Sequence, residues 1–192
     1  MLIKNTDIIT IAGRRGIGKS YLIRHLISKL HNTYRIVIID INQEYSDLKE
    51  KFNDLIIEKI NFEKNLNEEI DRIVDFYTSK RNFFIVFEDA DIYIDNFNLP
   101  NSVMKFIYTG RHNGMGGIFS FRRLRSIHKQ ILFNSSYFFI FQAKLPNDVE
   151  YIKKYFDVEN EIRQLKEHEF VLLDNFDRKQ KAILKGGKIV YL

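Results

Sequence analysis

Residues 7–30, DIITIAGRRGIGKSYLIRHLISKL, decide the fold of this chain. Residues 7–12 are a short apolar run ending at a glycine. Residues 19–30 carry Leu22, Ile23, Leu26, Ile27 and Leu30 at the spacing of one helix face. The stretch reads as a buried strand, a loop and an amphipathic helix. The loop, residues 13–20, is GRRGIGKS and fits G-x-x-x-x-G-K-[ST] without departure. Gly13 and Gly18 let the backbone turn tightly enough for successive amides to converge on phosphate oxygens, and the helix N-terminus adds partial positive charge. Lys19 brings a mobile ammonium to the β and γ phosphates, and the Ser20 hydroxyl is an oxygen ligand for Mg²⁺. Gly13, Arg14, Arg15, Gly16, Ile17, Gly18, Lys19, Ser20 and the following Tyr21 are therefore the expected nucleotide-binding run, with ATP and Mg²⁺ as ligands.

Outward from this stretch, residues 35–40 (RIVIID) read as a second buried strand and 55–57 as a brief edge strand. Residues 68–78 read as a helix through Ile70, Ile73, Val74 and Tyr77, and 83–87 (FFIVF) are the most apolar strand. A helix at 103–108, a glycine-broken segment at 110–117, a strand at 117–121, a short helix at 126–132 and a strand at 137–141 (YFFIF) continue the alternation. Helical stretches near 148–156 and 159–165 precede strands at 169–174, 180–184 and 188–191, with Gly186-Gly187 as a hairpin turn. Strands apolar on both faces, alternating with helices, imply a parallel sheet covered on both sides.

Glu88 and Asp89 follow FFIVF at once. A carboxylate at the tip of a strand neighbouring the loop-bearing strand points into the same crevice and holds Mg²⁺, while a second orients the attacking water. The usual order in additional-strand ATPases is Asp then Glu; here it is reversed. The preferred assignment puts Glu88, with Ser20, on the metal and Asp89 on the water; a register shifted by one is the alternative. Asp91 and Asp95 read as surface charges. Between 108 and 129 the chain is YTGRHNGMGGIFSFRRLRSIHK. Arg111 precedes a glycine-rich turn, and Arg122 and Arg123 stand at a strand's carboxyl end, where they can sense the γ-phosphate or stabilise transition-state charge. A structural ion pair is the alternative reading for each. Arg125, His128 and Lys129 read as surface groups or contacts to DNA phosphates. The five histidines, 25, 31, 112, 128 and 168, show no metal-ligand spacing.

Composition limits what surrounds this site. The 192 residues fit one domain, expected to run from 1 to 192, and 17 Phe with 10 Tyr supply a large core. Without cysteine there is no disulfide framework, thiolate metal site or cysteine nucleophile, which fits a reducing cytosol. No apolar stretch approaches the ~18 residues of a membrane span, and the N-terminal run is too short and polar for a signal peptide, so a soluble protein without stable membrane insertion is expected. Residues 1–100 hold 14 Lys+Arg against 16 Asp+Glu, and residues 101–192 hold 16 against 9. A basic second half points to a polyanionic partner.

The motifs together resemble the FtsK–HerA superfamily of DNA-pumping ATPases, and within it the small genome-packaging ATPases of viruses. The resemblance rests on GRRGIGKS, on IVIIDINQEYSDL where the family has a strand followed by D-x-x-x-E-Y, on FFIVFEDAD, and on GRHNGMGGIFSFRRLRSIHKQILFNSSYFFIFQ. It implies a P-loop NTPase of the RecA-like, additional-strand type: a mostly parallel sheet with helices on both faces and a C-terminal antiparallel hairpin. It also implies Mg²⁺-dependent ATP hydrolysis coupled to translocation of double-stranded DNA into a viral capsid. The similar ATPases are rings, often hexameric, in which Arg111 would act across the subunit interface. A capsid or portal-vertex component is a further expected partner, in the host cytoplasm or on the virion. Where many relatives have Gln-Arg-Pro this chain has Arg122-Arg123-Leu124, which makes Arg122 the candidate for the sensor role. Two other classes share the loop: an assembly or secretion ATPase acting at a membrane, and a small-molecule kinase, for which the RRLR stretch would serve as a phosphate-covering lid.

Overall fold

In the computed structural model, residues 2–174, 178–186 and 188–192 are described, Arg178 by its backbone alone. The deciding stretch folds as its spacing predicts. Strand β1 (Ile8–Ala12) is buried along its whole length, and α1 (Lys19–Leu30) buries Leu22, Ile23, Leu26, Ile27 and Leu30. The chain continues through β2 (Arg35–Asp40), α2 (Ser46–Lys51), β3 (Ile56–Lys59), α3 (Leu66–Lys80), β4 (Phe83–Phe87), α4 (Asn101–Thr109), β5 (Gly116–Phe121), α5 (Lys129–Asn134) and β6 (Tyr137–Phe141). It ends with α6 (Pro146–Lys153), α7 (Glu159–Gln164), β7 (Glu169–Asp174), β8 (Arg178–Lys185) and β9 (Lys188–Tyr191). Segment ends move where caps decide them. Asn65 opens α3 early by accepting from the backbone N–H of Asn67 and Glu68. His128 opens α5 late, its Nδ1 accepting from the Gln130 N–H.

Among the described residues nine strands join one sheet in the order β3-β2-β4-β5-β1-β6-β7-β8-β9. Pairing is parallel from β3 to β6 and antiparallel from β6 to β9. Alternate residues of each strand feed opposite cores, as a period of two requires. Ile9, Ile11, Ile38, Val86 and Phe139 pack under α1. Val37, Ile39, Ile85, Phe87, Phe119 and Ile140 pack with the buried faces of α3 to α7 on the other side. This is the expected mostly parallel sheet with helices on both faces and a C-terminal antiparallel extension. Of the expected turn, Gly186 adopts φ 55°, while Gly187 lies outside the described residues.

One expectation is corrected. β4, which carries the acidic tip, is not the spatial neighbour of β1; β5 lies between them and pairs with both. Glycine makes the insertion possible. A Cβ on Gly116 would stand 2.4 Å from the Asp7 carbonyl oxygen, and one on Gly117 2.4 Å from that of Ile85. Phe87 and Phe119 then stack face to face, centroids 4.2 Å apart, which fixes β4 against β5. Because β1, β2, β4 and β5 run the same way, their carboxyl ends share one edge of the sheet. The loop of residues 13–20 and Glu88–Asp89 meet there.

Candidate active site

The phosphate loop takes its shape from two sides. Gly16 and Gly18 sit at φ 78° and 110°, a region that side chains with a Cβ disfavour. A Cβ on Gly13 would fall 2.6 Å from Cβ of Phe141, at the tip of β6. Lys19 opens α1 and is buried. Its Nζ lies 3.9 Å from Asp89 Oδ1 and 3.5 Å from the Arg14 carbonyl oxygen. Burial pulls its pKa below the ordinary lysine value, against the upward pull of Asp89, Asp91 and Glu88.

The acidic tip faces this lysine. Glu88 is 2% exposed and Asp89 9%. Asp89 adopts φ 39°, ψ 49°, a left-handed conformation that aspartate tolerates better than most residues, and its N–H donates to Ser120 Oγ at 3.0 Å. Ser120 belongs to β5, so the inserted strand holds the acidic turn in place. A single amide group bridges the two carboxylates: Asn42 Nδ2 donates to Glu88 Oε2 at 3.1 Å and to Asp89 Oδ2 at 3.0 Å. Asn42 is itself set by the turn after β2, where the Asp40 carboxylate accepts from the N–H groups of Glu44 and Tyr45, each at 3.0 Å. Burial, then the charges of Asp89 and Glu44, push the Glu88 carboxyl up to about 8, and the Asn42 hydrogen bond only partly opposes them.

These groups line one cleft of about 340 Å³. Ser20 offers a hydroxyl, and Glu88 and Asp89 offer carboxylate oxygens. Among the described residues no cluster of three or more His, Cys, Asp or Glu could hold a metal by itself. That oxygen set fits Mg²⁺, which is held through one or two side chains together with phosphate oxygens and water.

Most of the expected residues converge here. Arg15, Gly16, Gly18, Lys19, Ser20, Tyr21, Glu88, Asp89 and Arg122 all line the cleft. The Ile17 side chain does not; it is fully buried under the sheet with α1. Gly13 and Arg14 line a second cavity, of about 320 Å³, beyond the loop. Arg123 is turned to that side too, because its Nε donates to Asp148 Oδ2 at 2.9 Å, so a role for Arg123 on the phosphates of its own cleft is not what the structure shows. Arg111 sits exposed in the 3₁₀ turn before β5, at the amino end of the strand and away from the cleft of its own chain. Asp91 is corrected as well. It is a buried carboxylate, accepting from Arg122 Nε at 3.0 Å and from the Arg122 backbone N–H at 3.1 Å. Asp95 accepts from the N–H groups of Phe97 and Asn98 and closes a local turn.

Asn42 and Glu44, which line the cleft, and Ser120 and His168, which brace it, were not among the site residues expected from the sequence. Asn42 and Ser120 are polar residues at the carboxyl ends of β2 and β5, a position that becomes informative once the strand order is known. His168, just before β7, puts its ring nitrogen 3.2 Å from the Ile17 carbonyl oxygen. Among the described residues no helix is long and apolar enough to cross a membrane.

Residues 8–100 match the family described as helicase HerA, central domain. No curated protein matches the chain. Among solved structures, the genome packaging NTPase B204 of Sulfolobus turreted icosahedral virus 2, in complex with ATPγS, superposes with a TM-score of 0.77 at 22% identity, over 91% of this chain and 96% of that one. B204 of Sulfolobus turreted icosahedral virus, described as a DNA-packaging ATPase, gives 0.80 at 21% identity over 92% and 97%. VirB4 of Thermoanaerobacter pseudethanolicus gives 0.65 at 10% identity over 90% and 87%. At these identities the structural likeness is one of fold. The sequence similarity to the HerA central domain runs across β1, the phosphate loop and the acidic tip, and the fold shared with the packaging NTPases continues to the end of β9.

Proposed function

We propose that this chain is a Mg²⁺-dependent ATPase that works as a ring of copies, hexameric by analogy, and moves double-stranded DNA, as in packaging a viral genome. The observation that supports it is the cleft bounded on one side by loop residues Arg15, Gly16, Gly18, Lys19 and Ser20, and on the other by Glu88 and Asp89. The loop N–H groups and Lys19 bind the β and γ phosphates. Ser20 and Glu88 would hold Mg²⁺, which when bound neutralises charge developing on the phosphate oxygens. Asp89, beside Lys19, stands at the γ-phosphate end and orients the water. The water oxygen bonds to the γ-phosphorus, the bond to the β–γ bridging oxygen breaks, and the water's proton passes to a carboxylate. Asn42 keeps both carboxylates in place, and Asp91 holds Arg122 at the cleft, where its free guanidinium edge can meet the γ-phosphate.

Two features support DNA as the partner: the basic second half, 16 Lys+Arg against 9 Asp+Glu, and a fold shared with proteins described as packaging NTPases. In a ring, the exposed Arg111 is available to a neighbour's cleft. The test is ATP turnover by the full chain with and without duplex DNA. The proposal expects stimulation by DNA and loss of turnover in Lys19→Ala. Turnover indifferent to DNA would favour an assembly or secretion ATPase, and phosphate transfer to a nucleoside would favour a kinase.

A further inference from the structure

His168 is an odd residue to find where it stands. It adopts φ 66°, left-handed backbone that is strained for a residue with a Cβ and that glycine or asparagine would occupy more easily. Strain of this kind persists where the surroundings over-determine it, and it concentrates at functional sites. What the conformation achieves is a contact with the phosphate loop. Nδ1 lies 3.2 Å from the carbonyl oxygen of Ile17, 151 residues earlier in the chain. A carbonyl oxygen only accepts, so Nδ1 carries the proton and donates. The same ring packs on Gly18, where an added Cβ would stand 3.0 Å from Nδ1.

The consequence follows from the planarity of the peptide group. In a trans peptide the C=O and N–H point in opposite directions, and no cis bond is present among the described residues. Fixing the Ile17 carbonyl toward β7 therefore aims the Gly18 N–H to the other side, where Gly18 lines the cleft. This N–H is one of the donors that would meet phosphate.

We propose that His168 is a positioning residue for the phosphate loop: it clamps the Ile17–Gly18 peptide from the antiparallel extension, so that the loop is set for a triphosphate before one arrives. The proposal rests on the nucleotide-binding reading of the cleft. It assigns a role in that site to the segment beyond residue 100, outside the HerA central-domain match.

Substitution separates the clamp from ordinary packing. In His168→Asn the new side chain's amide Nδ2 would stand where histidine has Nδ1, and asparagine tolerates the left-handed backbone, so this variant keeps the hydrogen bond. His168→Gly relieves the strain and removes the bond. The experiment measures the dissociation constant of a nonhydrolysable ATP analogue with Mg²⁺, and the melting temperature, for the full-length wild type, both variants and Lys19→Ala. The expected result is wild-type affinity, within about twofold, in His168→Asn, and affinity weakened about 3- to 10-fold in His168→Gly with no loss of melting temperature. His168→Gly binding as tightly as wild type, His168→Asn as weak as His168→Gly, or a fall in melting temperature that accompanies the lost affinity would each overturn the clamp. If the wild type itself fails to bind the analogue, or binds no better than Lys19→Ala, the nucleotide reading fails instead.

Discussion

Glu88→Gln keeps the shape of the side chain and removes its titration, which makes the electrostatics of the acidic tip measurable without any ligand. In the unfolded chain a glutamate ionises at its ordinary value of 4.5. In the fold, burial and the adjacent Asp89 hold the Glu88 proton up to about 8. Between those two pH values the folded state binds more protons than the unfolded state, so this residue's contribution to stability falls as pH rises through the window and levels off above about 8. The gap between 4.5 and about 8, at 1.36 kcal/mol per pH unit, sets a ceiling of about 5 kcal/mol. Water entering the cleft screens the charge, leaving on the order of 2 kcal/mol. Glutamine carries no such penalty. Urea unfolding of both proteins, free of nucleotide and in a metal chelator, should therefore give equal stability near pH 4.5. By about pH 9 the variant should be more stable by that amount. Taking the difference at each pH cancels Lys19 and other groups common to both proteins. A difference that is flat with pH, or that shrinks as pH rises, would refute the assignment of a buried, proton-holding Glu88.

Three further outcomes are expected. Asn42→Ala removes the donor shared by two buried carboxylates and should move the Glu88 titration upward by roughly one pH unit, the size of one charge-assisted hydrogen bond, read by infrared titration of its carboxyl band. An unmoved band would show that the amide does not hold Glu88. Gly116→Ala drives a Cβ to within 2.4 Å of the Asp7 carbonyl and 2.5 Å of that of Asn5, so urea unfolding should show a loss of about 3 kcal/mol or more, and a neutral result would contradict the tight insertion of β5. Asp91→Ala frees Arg122 and should slow ATP turnover severalfold while costing about 1–3 kcal/mol of stability, measured by steady-state kinetics beside urea unfolding; unchanged kinetics would remove Arg122 from the site.

Local pattern made much of this structure legible. α1, β2, β4 and β6 begin and end where apolar spacing and the loop motif place them, and β1 ends there and begins one residue later, because each is either buried on both faces or buried along one helix face. Loop and acidic tip were recognisable for the same reason: both are short strings whose chemistry depends on adjacent residues. What stayed hidden depends on strand order. Nothing in FFIVFED says that β5 lies between it and the loop strand, so Ser120 could not be identified as the anchor of Asp89. The bond from His168 to Ile17 joins residues 151 apart and is visible only once β7 lies against β6. Charge was the weakest guide. Asp91 read as a surface charge and is paired with Arg122, and of the two readings open for Arg123 the structure shows the ion pair, because pairing is decided by which side of the β5 tip each side chain leaves.

A triphosphate is expected to sit between residues 13–20 and the Glu88–Asp89 tip. A crystal structure of the full chain grown with a nonhydrolysable ATP analogue and Mg²⁺ tests it most directly. The β and γ phosphates are expected within hydrogen-bonding reach of the Gly16 to Ser20 amides and of Lys19 Nζ, with the metal between Ser20 and the acidic tip. Analogue bound elsewhere, or a cleft closed against it, would overturn that placement.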